Sequence, residues 1–167
     1  MDLTKFHSLD IILVCGLPGS GKSHFSRTFF RDTGRKRINR KEIRRLLYEM
    51  TTFGEKWSEE LFNKHDESLV KHVERKMLEH LLQNKQKVLI DNTSVTSSSR
   101  KTYIDAAKQL RKTIGVIFLK IPVQKCLERN RSREDPIPDM VISNLSAAME
   151  LPKREEGFEE VLVIDNY

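Results

Sequence analysis

Residues 11–23 read IILVCGLPGSGKS, and the fold is decided there. Ile11 to Cys15 is a short, unbroken, β-branched run that stops at Gly16. A run with no polar alternation predicts a strand buried on both faces, as in a parallel sheet. Gly16, Leu17, Pro18, Gly19, Ser20, Gly21, Lys22 and Ser23 then fit G-x-x-x-x-G-K-S/T. Phosphates are dense negative charge. Glycines let the backbone turn its N–H groups inward around them, and the helix that follows adds its positive end. Lys22 would reach the β- and γ-phosphates and Ser23 would ligate magnesium. His24 is placed with the same nucleotide-binding stretch. Chance supplies such a match about once in two hundred chains of this length. The glycine order does not meet the dinucleotide fingerprint.

Outward from this stretch, strands and helices alternate. Further strands are expected at Arg37–Asn39, Lys87–Asp91, Gly115–Ile121 and Val161–Ile164. Helices are expected at Lys22–Asp32, Lys41–Met50, Ser97–Lys112, Val123–Arg131 and Asp139–Met149, with a long one capped by Ser58 that carries the stripe Phe62, Leu69, Val70, Val73, Met77 and Leu81. The pattern predicts an α/β fold of the P-loop NTPase type: about five parallel strands with helices on both faces. All 167 residues fit one domain, with a small lid at about residues 129–138.

Hydrophobic residues make up 38% and charged residues 32%, and no apolar run approaches a membrane span. Met1 to Asp10 carries no signal-peptide core, so a cytoplasmic setting is expected. Cys15 and Cys126 lie in apolar stretches and read as buried, reduced thiols. His65, His72 and His80 lack the i, i+4 spacing of helical zinc sites and read as structural or surface residues. The net charge of +6 favours polyanionic or phosphorylated partners. Residues 35–45, RKRINRKEIRR, hold seven basic residues in eleven, which favours a site.

Asp91 closes the third strand. It stands near the metal, as carboxylates at this place in P-loop proteins do, or it caps the next turn. Arg129 and Arg133 are four apart, so where the helix runs through both they aim at one phosphate and stabilise the charge of a transferring phosphoryl group; the alternative is a solvated helix end.

At these residues the sequence resembles the polynucleotide 5′-kinase family of P-loop phosphotransferases. The resemblance covers nearly the whole chain: VCGLPGSGKSHF, INRKEIRRLL, LIDNTSVTSSSR, CLERNRSR and EGFEEVLVID. It implies transfer of the γ-phosphate of ATP to a 5′-hydroxyl of RNA or DNA, and a sheet order of 2-3-1-4-5. Lys22 and Ser23 fall on the family's ATP and magnesium residues, and Arg129 and Arg133 on its lid arginines. Arg44 falls on the acceptor-side arginine of a D-x-x-R motif. Asp91, Asn92, Thr93 and Arg100 fall on the segment lining the acceptor path. The Asp of that motif, the family's general base, aligns with Lys41, which is protonated at neutral pH. Three readings follow. Glu42, one residue on, or Asp91 serves as base. The kinase acts on a small molecule such as a nucleoside. Or the protein binds nucleotide without transfer.

Overall fold

The computed structural model describes residues 2–63, 66–165 and 167. Five parallel strands form one sheet: β1 (Ile11–Gly16), β2 (Lys36–Ile38), β3 (Val88–Asp91), β4 (Ile114–Leu119) and β5 (Glu160–Ile164), in the order β2-β3-β1-β4-β5. That is the order expected from the resemblance. Every residue of β1, β3 and β4 is buried. Alternate side chains of a strand point to opposite faces, so both faces of the sheet's centre are covered. The edge strands β2 and β5 are only partly buried.

The helices are α1 (Thr4–Ser8), α2 (Lys22–Phe30), α3 (Arg40–Thr51), α4 (Asp66–Gln83), α5 (Ser97–Gln109), α6 (Val123–Arg131) and α7 (Asp139–Ala147). α2 packs on β1 and β3, and α4 on β2 and β3. Asn39 caps α3, its side-chain oxygen accepting from Glu42 N, while Thr96 and Ser99 form a capping box on α5.

Two expectations are corrected. The long helix does not start at Ser58, which gives no side-chain cap; Glu59–Leu61 is a single 3-10 turn and α4 begins at Asp66. The Glu59 N–H bonds Asp135 instead of continuing a helix. The stripe of α4 is the expected one only in part: Val70 is buried and Val73 and Leu81 pack against the core. Its buried residues are Val70, Glu74, Leu78 and Leu82, whereas Leu69 and Met77 are exposed. A buried glutamate at the centre of that face rotates the apparent apolar stripe away from the true one. The opening segment also forms α1, whose Phe6 packs with Leu9 beside Gly115; a Cβ there would lie 2.5 Å from Leu9.

His72 and His80 are exposed, and His65 lies outside the described residues. Cys15 and Cys126 are buried free thiols. Among the described residues no group of three or more His, Cys, Asp or Glu is arranged to hold a metal ion, and no helix is long and apolar enough to cross a membrane.

Candidate active site

The loop between β1 and α2 has the geometry of a phosphate cradle. Gly16, Gly19 and Gly21 have φ of 145°, 84° and 93°, a region side chains disfavour. A Cβ on Gly19 would sit 2.3 Å from the Cys126 carbonyl oxygen, so α6 presses directly against the loop. Gly21 caps α2 without a side-chain bond and no acidic residue stands in the first turn. The free N–H groups of that turn are therefore available to an anion. Lys22 Nζ donates to the Gly16 and Leu17 carbonyls at 2.9 and 2.8 Å, folding back over the loop. Burial pulls its pKa down to about 8; Asp91 opposes this and Arg133 adds to it. Lys22, Asp91 and Arg133 therefore share one electrostatic neighbourhood.

The strand register sets Asp91 beside Val14, two residues before the loop begins. Asp91 is fully buried, and its Oδ2 accepts from Arg37 Nε and Nη2 at 3.0 and 2.7 Å. Arg37 Nη1 donates to both Glu42 oxygens, at 2.9 and 3.0 Å. Burial works against the Arg37 charge, but the two carboxylates outweigh it and raise its pKa. Arg37 thus bridges Asp91 and Glu42, a role not evident from the sequence. Among the described residues three buried side-chain oxygens lack a hydrogen-bond partner: Ser20 Oγ in the loop, Ser26 Oγ and Asp91 Oδ1. Buried polar atoms are nearly always paired, so Ser20 Oγ and Asp91 Oδ1 at the loop mark places for polar ligand atoms. An unbonded carboxylate oxygen on the strand beside β1 fits a magnesium ion or its water.

Below Asp91 a second network fixes the site. Asn39 Nδ2 donates to the Asp91 carbonyl at 2.7 Å and Asn92 Oδ1 accepts from Arg40 N at 2.9 Å. Asn92 Nδ2 also donates to Glu74 and to Tyr103, whose hydroxyl bonds Glu74 at 2.9 Å. Arg40 completes the set with 2.9 and 2.6 Å bonds to Glu74. The expected site residue Thr93 enters through its backbone, its carbonyl accepting from Gly16 N at 3.0 Å.

Of the two lid arginines Arg129 flanks the loop; α6 ends at Arg131, so Arg133 does not share its helix face. Arg129 Nη1 lies 3.6 Å from the position of a Cβ on Gly21, and its Nη2 donates to the Tyr167 carbonyl at 3.0 Å. Arg133 is exposed on the turn after α6. Asn130 closes that turn by bonding both the Ile137 N–H and carbonyl, at 3.1 and 2.7 Å. His24 is exposed, with its ring centroid 6.0 Å from that of Tyr167.

Two acceptor-side expectations change. Arg100 does not line a path: it has no exposed surface, and it is bound to Glu156 at 2.8 and 2.7 Å and to the Glu150 carbonyl at 2.9 Å. It is a buried clamp between α5 and the turn at Arg154–Glu156. Arg44 faces α4, where Glu67 holds it at 2.9 and 2.8 Å and the rings of Trp57 and Phe62 flank it at 5.7 and 5.2 Å. No described contact joins it to Asp91 or the loop. Lys41, at the expected base position, pairs with Glu59 at 2.7 Å and with Asp135 of the lid at 3.5 Å.

The basic run is also reinterpreted. Arg37, Arg40, Lys41, Arg44 and Arg45 each pair with a carboxylate: Asp91 and Glu42, Glu74, Glu59 and Asp135, Glu67, and Glu49. Its formal charge is largely neutralised inside the protein.

The model of the AAA domain family, AAA_33, matches residues 11–152. The chain is similar to the L-seryl-tRNA(Sec) kinase of Methanococcus maripaludis, with 28% identity over 142 residues, 85% of this chain and 53% of that protein. It is also similar to the bifunctional polynucleotide phosphatase/kinase of Schizosaccharomyces pombe, with 23% identity over 94% of this chain and 34% of that protein. The chain spans about half and about a third of the lengths of these two relatives. Among solved structures, a chain of the Pnkp1/Rnl/Hen1 RNA repair complex superposes with a TM-score of 0.68 at 23% identity, covering 89% of this chain and 46% of that one. Solved small-molecule kinases share the fold as well.

Proposed function

The chain belongs to the AAA_33 family of P-loop kinases, and from that premise we propose that it transfers the γ-phosphate of ATP to a hydroxyl of a nucleic acid, a 5′-OH of RNA or DNA. The observation that carries the reading is Asp91. It is a fully buried carboxylate beside the phosphate loop, oriented by Arg37, with one oxygen unbonded. Two relatives whose names specify tRNA and polynucleotide kinases support the acceptor class.

In this reading the loop from Gly16 to Ser23 holds the phosphates, and the acceptor hydroxyl approaches from the side of Asp91 and attacks in line. Ser23 and Asp91 would hold magnesium, which supplies charge neutralisation on the β- and γ-phosphates. Lys22 exchanges the loop carbonyls for phosphate oxygens. Arg129 and Arg133 close over the transferring group and stabilise its charge. Either Asp91, where its free oxygen is not taken by the metal, or Glu42 accepts the hydroxyl's proton, and Arg37 holds both carboxylates in place. Two buried thiols suit a reducing, cytoplasmic setting. One kinase domain accounts for the whole chain.

The test is transfer of labelled phosphate from ATP to 5′-hydroxyl RNA and DNA oligonucleotides, with Lys22→Ala as the inactive control. Protein that binds ATP but labels neither oligonucleotide refutes the acceptor class. A second reading rests on Lys41, whose pairing with Glu59 and Asp135 occupies the family's base position with a neutralised cation. It favours a small-molecule acceptor, or nucleotide binding without transfer. ADP release stimulated by nucleosides or small alcohols alone would support the first of these, and ATP binding with no transfer to any acceptor the second.

A further inference from the structure

We propose that the groove between α2 and the β2 edge is a second anion site, separate from the phosphate loop, that binds one phosphate group. The groove encloses about 190 Å³ and is lined by Ser26 and Arg27 of α2, by Arg31 in the turn after it, by Arg35 and Arg37 at and just before β2, and by Leu89 of β3. Four of these residues are arginines and none is acidic.

Their charges differ in how they are compensated. Arg37 is balanced by Asp91 and Glu42. Arg35 is buried, and its guanidinium donates to the backbone carbonyls of Phe6, Leu9 and neighbouring residues. Carbonyl oxygens satisfy its N–H groups without cancelling its charge. Burial lowers its pKa to about 10, with Asp10 opposing, so it stays protonated at neutral pH. Arg27 on α2 and Arg31, in the 3-10 turn Arg31–Thr33 that follows it, are both exposed and both line the groove. Neither has an ion pair among the described residues. Every cation of residues 37–45 has a carboxylate; among the described residues Arg27, Arg31 and Arg35 at this groove have none in ion-pair contact.

The second observation is Ser26. It is 3% exposed, it lines the groove, and its Oγ has no hydrogen-bond partner. A buried hydroxyl without a partner carries a desolvation cost that an anion's oxygen would remove. The guanidinium groups of Arg27 and Arg31 beside an unpaired hydroxyl donor match the acceptor oxygens of a phosphate, which arginine recognises through paired N–H bonds, while Arg35, its donors already held by carbonyls, adds charge alone. Size narrows the class. Pockets for drug-sized ligands run to about 300–1,000 Å³, so this groove admits a phosphoryl group and not a whole nucleotide. Free phosphate and a phosphodiester of a nucleic-acid strand share that chemistry. Arg37 ends at Asp91, so a strand engaged here lies next to the candidate active site. The proposal does not depend on the acceptor reading.

The test isolates the groove from the loop. Inorganic phosphate is titrated calorimetrically into the full chain carrying Lys22→Ala, and in parallel into the unaltered chain saturated with magnesium and a non-hydrolysable ATP analogue. Binding of a single-stranded oligonucleotide is followed by anisotropy in the same two settings. Phosphate binding should persist in both. Arg27→Gln with Arg31→Gln should weaken it by at least about tenfold, the loss expected for charge-assisted bonds, and Ser26→Ala by several-fold. Both arginines are exposed, so the variant should fold, and its retained affinity for the ATP analogue checks this. Loss of oligonucleotide affinity in the double variant assigns the site to a strand phosphodiester, and loss for free phosphate alone assigns it to the free ion. Absence of binding by both probes, or affinity unchanged by the double substitution, overturns the site. A chain that binds phosphate in the groove but transfers none from ATP would fail the kinase reading and leave this one intact.

Discussion

Replacing Arg100 with leucine separates a structural role from an acceptor-binding one. The Arg100 side chain has no solvent exposure, and its loss strands the Glu156 carboxylate and leaves the Glu150 and Ser94 carbonyls without their donor. Removing one partner of a buried pair costs about 3–5 kcal/mol because the other charge is left uncompensated. Domains are stable by only about 5–15 kcal/mol, so the loss is a large fraction of the total. At about 2–4 °C per kcal/mol for a chain of this size, the melting temperature should fall by about 6–20 °C. Urea unfolding should show a lower midpoint with an unchanged slope. The double variant Arg100→Leu with Glu156→Leu should recover most of the loss, since the stranded charge is gone. ATP affinity, measured in the cold where both variants are folded, should stay within about twofold, because Arg100 touches none of the phosphate-loop residues. A shift below about 1 kcal/mol, together with a raised acceptor KM, would refute this argument and return Arg100 to the acceptor path.

Gly19→Ala should abolish ATP binding, because its Cβ would meet the Cys126 carbonyl at 2.3 Å and its φ is 84°; a normal Kd by fluorescence titration would contradict the tight α6 contact. Asp91→Asn and Glu42→Ala should each be compared with Lys41→Asp in transfer assays. Loss of a base costs about 10²- to 10⁴-fold in kcat. We expect the larger loss from Asp91, since Glu42 is 61% exposed and held by Arg37; equal rates for all variants would leave positioning and charge alone as the mechanism. The Cys15 thiol, pushed up strongly by burial, should resist alkylation at pH 8 until denaturant unfolds the chain. Rapid labelling of Cys15 in native protein, detected by mass spectrometry, would contradict its burial.

The phosphate loop, the five strands and most of the helices were legible in the sequence because their causes are local. Ile11 to Cys15 has no polar residue to face water, glycines supply the positive φ the loop needs, and Asn39 and Thr96 cap the helices that follow them. Those determinants act over a few residues. What the tertiary structure alone decided is which charges meet. Arg37 reaches Asp91 across 54 residues, Arg40 reaches Glu74 across 34, and Arg100 reaches Glu156 across 56. Pairings at such distances depend on strand order and register, which composition does not specify. They turn an apparent basic patch into a set of internal ion pairs, place a buried glutamate at the centre of the inner face of α4, and move Arg100 from the expected acceptor path into the core. They also leave Arg27 and Arg31 without carboxylates, a distinction drawn by the fold because in sequence every arginine carries the same charge.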